Sequence, residues 1–152
     1  IDFNAAEKFD LSFVSSDGEK KRPWVIHRAP LGSHERFVAL LLEYYQGKLP
    51  GWLAPVQVLL LPIDGRANEE CERLASELRR KDVRVHINAS SESLSKRVFM
   101  SHRQRPFLKV VIGSKEIEQG KFKLQFRDKE ILISRSELLA KIVESLEMPL
   151  GS

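Results

Sequence analysis

The stretch His27-Arg28-Ala29-Pro30-Leu31-Gly32-Ser33-His34-Glu35-Arg36-Phe37 gathers an imidazole, a hydroxyl and a guanidinium within a few residues. Imidazole binds metals or moves protons near neutral pH. Guanidinium grips phosphate or carboxylate through two parallel hydrogen bonds. Ser33 is a favoured N-cap, since its hydroxyl accepts an orphan backbone N–H, so it is expected to open a helix with Arg36 in the first turn. A cation is mildly disfavoured there by the helix dipole and calls for an anionic partner or a solvated pose. A β-like run (Trp24, Val25, Ile26), a turn through Pro30 and Gly32 and a helix N-terminus therefore make a phosphate cradle. The alternative is an ordinary strand-to-helix corner with a surface arginine.

A second concentration of charge lies further on. From Lys96 to Arg127 the cations Lys96, Arg97, Arg103, Arg105, Lys109, Lys115, Lys121, Lys123 and Arg127 face only Glu116 and Glu118. An RNA backbone selects such a local excess, although a solvated face gives the same pattern. The net charge of the whole chain is only +4, so arrangement says more than total.

These residues need elements to carry them. The 152 residues suit one domain or two small ones, with enough Leu, Val and Ile for a core. Phe9–Phe13 alternates as a half-buried strand, Asp17-Gly18 is a hairpin turn, and Pro23–Ala29 is the expected returning strand. The helix from Ser33 to about Gln46 is expected to bury Phe37, Leu40, Leu41 and Tyr44 and to stop at Gly47. A hairpin and one helix make a poor core, so this part resembles the edge of a larger sheet. Lys48–Pro55 reads as an ordered linker, with Trp52 expected to pack between two domains. Val56–Pro62 is a continuous apolar run, as in a strand buried on both faces. Asn68 is expected to cap a helix whose Cys71, Leu74, Ala75 and Leu78 share a face, which makes Cys71 a core residue. Strands at Asp82–Asn88, Phe107–Ile112, Lys121–Phe126 and Glu130–Ile133 follow, with a weak helix over 90–103. The last helix starts at a capping box, Ser134 with Glu137. The alternation from Val56 to Ile112 implies parallel crossovers and an α/β domain with a mixed sheet.

No apolar run reaches the roughly 18–20 residues of a membrane span, so no membrane partner is expected. A single cysteine excludes an internal disulfide and fits a reducing compartment. The chain has no charged-then-apolar leader, so secretion is not expected; because it starts on an apolar residue in place of Met, a lost N-terminal targeting segment is the alternative. The expected location is cytoplasmic, with an organelle as the alternative.

His27-Arg28-Ala29, Leu31-Gly32-Ser33 and Glu35-Arg36-Phe37 together resemble motif 3 of class II aminoacyl-tRNA synthetases of the threonyl-tRNA synthetase type. Leu49-Pro50-Gly51-Trp52-Leu53-Ala54-Pro55-Val56-Gln57-Val58 resembles that family's junction between catalytic core and anticodon-binding domain, and Ile1-Asp2-Phe3 its Leu-Asp-Phe strand. The resemblance implies the end of a class II antiparallel-sheet core over 1–50, with a hairpin and the motif 3 helix, a linker over 51–55, and an α/β anticodon-binding domain over 56–150. It implies ATP-dependent activation of threonine and transfer to tRNA(Thr), with ATP and Mg2+ at Arg36, Ser33 beside the amino-acid pocket and His27 as one of three zinc ligands. The remaining two ligands lie upstream in the family, and one histidine cannot build a zinc site. The fragment alone is therefore expected to be inactive, and the intact enzyme to be a homodimer.

In the second domain, Lys115-Glu116-Ile117-Glu118 resembles the family's Lys-Glu-Val-Glu, whose first glutamate reads an anticodon base. Glu116, Gln125, Lys96, Arg97, Arg103, Lys121, Lys123 and Arg127 are the expected tRNA contacts. The sequence departs from the family at Ala89-Ser90-Ser91-Glu92-Ser93-Leu94 and at Gln125, where an arginine is usual. A non-catalytic RNA-binding paralogue is the alternative that those departures raise.

Overall fold

The computed structural model describes residues 1–127 and 129–148. Two compact units divide the chain, Ile1–Leu40 and Leu41–Ser152.

In the first unit a short helix α1 (Ala5–Lys8) precedes a two-stranded antiparallel hairpin of β1 (Phe13–Val14) and β2 (Lys20–Lys21). The expected strands at Phe9–Phe13 and Pro23–Ala29 are not formed. Pairing is confined to the residues flanking the Ser15–Glu19 turn, and Val25 makes only an isolated bridge to Asp2. Pro23 has no N–H to donate, which stops the ladder just past the hairpin. Helix α2 (His34–Tyr44) runs across the division between the units. Its N-cap is Ser33, whose Oγ accepts the Arg36 N–H at 3.3 Å. Its apolar stripe is not buried: Leu40 is 58% and Tyr44 76% exposed. The helix ends as expected at Gly47, which adopts φ +68° and returns its N–H to the Leu42 carbonyl. The positive φ favours glycine there, and a Cβ at Gly47 would also displace the Arg105 guanidinium.

The second unit is a mixed α/β layer structure, as expected. A five-stranded sheet has the order β4-β3-β5-β6-β7, from β3 (Val58–Pro62), β4 (Val85–Ile87), β5 (Leu108–Ile112), β6 (Lys121–Phe126) and β7 (Glu130–Ser134). Strand β3 pairs parallel with β4 and β5, while β6 and β7 run antiparallel. Every residue of β3 is buried, in keeping with its unbroken apolar run. Val58 and Leu60 join Leu108, Val110, Ile112, Phe122 and Leu124 in one core against α3 (Gly65–Arg79) and α6 (Arg135–Leu146). Each fully buried leucine in this layer stabilises the fold by about 1.5–3 kcal/mol. Cys71, Leu74, Ala75 and Leu78 do share the inner face of α3. Burial pushes the Cys71 thiol up to about 12, which leaves it inert.

Helix α4 (Leu94–Gln104) packs against β3 from the other side, and α5 (Ser114–Gln119) sits between β5 and β6 in sequence. The alternation of β5 thus leaves Lys109 and Val111 half exposed on the face opposite the core. Several local expectations change. The cap of α3 is Asp64 in place of Asn68, its Oδ1 accepting the Ala67 N–H at 2.9 Å. The other oxygen, Oδ2, accepts from the N–H and hydroxyl of Ser114, so one carboxylate holds the starts of two helices. At α6 the Ser134 hydroxyl donates to Glu137 at 2.6 Å and makes no capping bond to the helix backbone. Arg135 ties α6 to Glu70 and Glu77 of α3 at 2.7 and 2.9 Å. The turn expected at Arg127-Asp128-Lys129 lies partly outside the described residues.

Candidate nucleic-acid interface

The Lys48–Pro55 segment is packed within the second unit. Gly51 is buried, its carbonyl accepting from Gln57, and Arg84 donates to the carbonyls of Trp52 and Ala54. This fixes the chain after α2 beside the end of α4 and the start of β5. Together with the end of β6 these elements enclose an open cavity of about 400 Å³. Its walls carry Lys48, His102, Arg105, Lys109, Gln125 and Arg127, with the rings of Phe107 and Phe126.

Each wall residue is placed by the backbone. Arg105 terminates α4 in the left-handed conformation (φ +46°), and its Nη1 reaches the Gln46 carbonyl at 3.3 Å. Arg127 Nη2 donates to the Leu49 carbonyl at 2.9 Å. Lys109 and Gln125 are direct cross-strand partners of β5 and β6. Phe107 and Phe126 meet edge to face, with centroids 5.9 Å apart, and the Lys129 ammonium stands 5.5 Å from the Phe126 ring centre. Burial lowers the Lys109 pKa from the ordinary lysine range, against the charge of Glu130, which raises it. Cations around aromatic rings and an amide form a surface suited to single-stranded nucleic acid, where phosphates find charge and unstacked bases find rings.

Of the expected contacts, Gln125 and Arg127 line this cavity. Arg103 lies in the last turn of α4, exposed and not among the lining residues. Lys96 pairs with Glu92 at 2.8 Å and Lys123 with Glu130 at 3.2 Å, both on the surface. Lys121 is exposed at the other end of β6 from Gln125. Glu116 lies outside the cavity wall, its Oε2 accepting the Gly113 N–H and capping its own helix at 2.9 Å. Arg97 is corrected: it is 7% exposed, and its Nη1 donates to the carbonyls of Pro62 and Asn88 at 2.8 Å each, so it staples the ends of β3 and β4 together. A phosphate cannot reach it without breaking that staple. Sequence reasoning counted Arg105 and Lys109 only as part of a general excess and missed Lys48, His102, Phe107 and Phe126. Lys109 had a signal, being a lone cation inside the apolar strand Leu108–Ile112.

The model for the family described as anticodon binding domain matches residues 57–145. The chain belongs to the anticodon-binding domain family. The match covers the sheet unit and all but the loop side of the cavity. Among curated relatives, the threonine–tRNA ligase of Streptomyces coelicolor is 40% identical over 149 residues, 97% of this chain and 23% of that protein. The threonine–tRNA ligase catalytic subunit of Sulfurisphaera tokodaii is 43% identical over 128 residues, 84% of this chain and 24% of that protein. The chain thus spans about a quarter of the length of these relatives. In structure it is similar to the RNA binding domain of threonyl-tRNA synthetase from Cryptosporidium parvum Iowa II, with a TM-score of 0.72, 30% identity and coverage of 99% of this chain and 39% of that one.

The first unit holds the remaining expected residues. Asp2 Oδ1 accepts the N–H groups of Asn4 and Ala5, and its Oδ2 lies 3.2 Å from His27 Nε2. Those backbone bonds, with the His27 contact, hold the Asp2 carboxyl below its ordinary range. Ser33 is spent on the N-cap of α2. Arg36 is exposed, and its guanidinium has no hydrogen-bond or ion-pair partner among the described residues. No group of three or more His, Cys, Asp or Glu side chains among the described residues is arranged to hold a metal. No helix among them is long and apolar enough to cross a membrane.

Proposed function

We propose that this chain is part of a threonine–tRNA ligase in which the Leu41–Ser152 unit binds the anticodon arm of tRNA(Thr). The cavity carries this reading: Lys48, Arg105 and Arg127 offer charge to the backbone, Gln125 and Lys109 offer donors to a base, and Phe107 and Phe126 offer rings. The anticodon-binding family match and relatives named as threonine–tRNA ligases support it.

The 1–50 segment supplies motif 3 to the ATP-dependent activation of threonine. Ser33 caps the helix that presents Arg36, whose free guanidinium suits the phosphates of ATP with its Mg2+. In this reading His27 supplies one of three zinc ligands and the other two come from upstream in the intact enzyme, since among the described residues His27 has only Asp2 beside it. The working enzyme is a cytoplasmic homodimer in this reading. The departures at Ser90 and Gln125 favour one second reading, a non-catalytic RNA-binding paralogue.

The test is filter binding of a tRNA(Thr) transcript and of the same transcript with its anticodon loop replaced. Preference for the intact loop supports the proposal; equal binding contradicts it. In the intact protein, Arg36→Ala is expected to lower threonine-dependent pyrophosphate exchange about tenfold to a hundredfold with tRNA binding unchanged. An intact protein with no exchange at all would be the paralogue.

A further inference from the structure

We infer that Lys109, opposite Gln125 on the neighbouring strand, reads a nucleobase through its carbonyl oxygen and so favours guanine, uracil or cytosine over adenine, the one common base without such an oxygen. The inference rests on the RNA-binding reading above and deepens it.

Lys109 is out of character for its strand. Its neighbours Leu108 and Val110 are fully buried, and the next residue on its own face is Val111. It is half-buried, and its ammonium has neither a hydrogen bond nor an ion pair among the described residues. Glu130, the carboxylate whose field reaches it, is engaged by Lys123 at 3.2 Å. Partial loss of hydration around an unpaired ammonium is unfavourable until an acceptor replaces the lost water. The residue directly opposite on β6 is Gln125, and cross-strand partners place their Cβ atoms about 4.5–5.5 Å apart. Both line the cavity, whose wall also carries the Phe107 and Phe126 rings as a stacking surface for one splayed base.

The donor inventory then sets the preference. An ammonium has three donors and no acceptor, and an amide has one of each kind. Guanine, uracil and cytosine each bring a carbonyl oxygen to the ammonium. Adenine offers the ammonium ring nitrogens alone, N1 and N7 each flanked by the exocyclic amino donor, so its contact with Lys109 is the poorer one. The same logic gives lysine its preference for guanine O6 and N7 over adenine in DNA grooves. Arg105 and Arg127 are anchored to the carbonyls of Gln46 and Leu49 and stand at the rim, where phosphates would run.

The experiment titrates the full chain, wild type and Lys109→Met, with fluorescent anticodon stem-loops of tRNA(Thr) in which each loop base is changed in turn to adenine, at two salt concentrations. Wild type is expected to lose about tenfold in affinity when adenine replaces a carbonyl-bearing base at one loop position. Lys109→Met should flatten that difference to less than about threefold, and Lys109→Arg should restore part of it. Thermal melts of each variant separate lost reading from lost folding, and Gln125→Ala, which removes an amide that suits adenine and keeps the ammonium, should leave the discrimination in place. Undiminished discrimination in folded Lys109→Met overturns the inference and leaves RNA binding standing. So does an equal loss for every loop with a salt slope smaller by about one charge, which marks a phosphate contact. Absence of any binding by wild type overturns the RNA-binding reading itself.

Discussion

The two compact units differ in what holds them together. Between Ile1 and Leu40 the buried apolar residues, among those described, are Ala5 and Ala6, while Phe9, Trp24 and Ile26 remain about seven-tenths exposed. From Leu41 onward a continuous core joins three strands to two helices. The first unit carries an imidazole, a cap and a free guanidinium on backbone with little packing beneath it. The second places its donors at the ends of strands whose register is fixed by burial on one face. Binding groups gain precision from such a support, because rotamers and strand ends are locked by packing. A chemical motif and a self-sufficient scaffold are therefore separate properties, and this chain separates them by position.

The largest effects should follow that division. Leu60→Ala or Leu74→Ala, both at 0% exposure, is expected to cost about 2–5 kcal/mol, read as a lower denaturant midpoint. Leu40→Ala, on an exposed helix face, should stay within about 0.5 kcal/mol. Comparable losses at Leu40 and Leu60 would mean that the first unit is held as firmly as the second.

A smaller effect tests the reassigned arginine. Arg97→Met removes the staple to Pro62 and Asn88 while relieving the unpartnered buried Nε. The expected loss is about 1.5–3 kcal/mol in urea unfolding, with the salt dependence of RNA binding unchanged. A reduced salt slope in a folded variant would return Arg97 to the phosphate contacts.

The smallest effect is a pH dependence at Asp64. Hydrogen bonds from Ala67 and Ser114 hold its carboxyl below the ordinary 3.8. A depressed folded-state pKa adds stability at pH above the unfolded value, and that stability is lost as pH falls through the folded value. The melting difference between wild type and Asp64→Ala should therefore be full near neutrality and shrink below about pH 3.8. A difference that persists unchanged into acid would mean that the Asp64 contacts do not depend on its charge.

Legibility in the sequence followed the same divide. The run at Val58–Pro62 and the 71-74-75-78 face of α3 were plain because burial on a sheet or helix imposes a period. The strand at Pro23–Ala29 and the buried face of α2 were misread because periodicity promises a buried face without supplying a partner for it. Helix α5 escaped notice because it is short and its N-cap is Gly113, which has no side chain to announce a cap. At the candidate site, Gln125 was singled out by the resemblance and Arg127 by the local excess of cations, and both line the cavity. Arg97 was misplaced because a run of cations does not show which member turns inward to two carbonyls. Lys48 and His102 come from distant parts of the chain, and only folding brings them to one wall.

The central claim is that the second unit holds the RNA site by itself. The direct measurement is an equilibrium titration of the tRNA(Thr) anticodon stem-loop against the Leu41–Ser152 segment and against the whole chain. The account predicts affinities within about threefold of each other, both falling steeply with salt, since Lys48, Arg105 and Arg127, the proposed phosphate contacts, all lie in that unit. A folded Leu41–Ser152 segment that binds no stem-loop, or binds only when residues 1–40 are present, would contradict it.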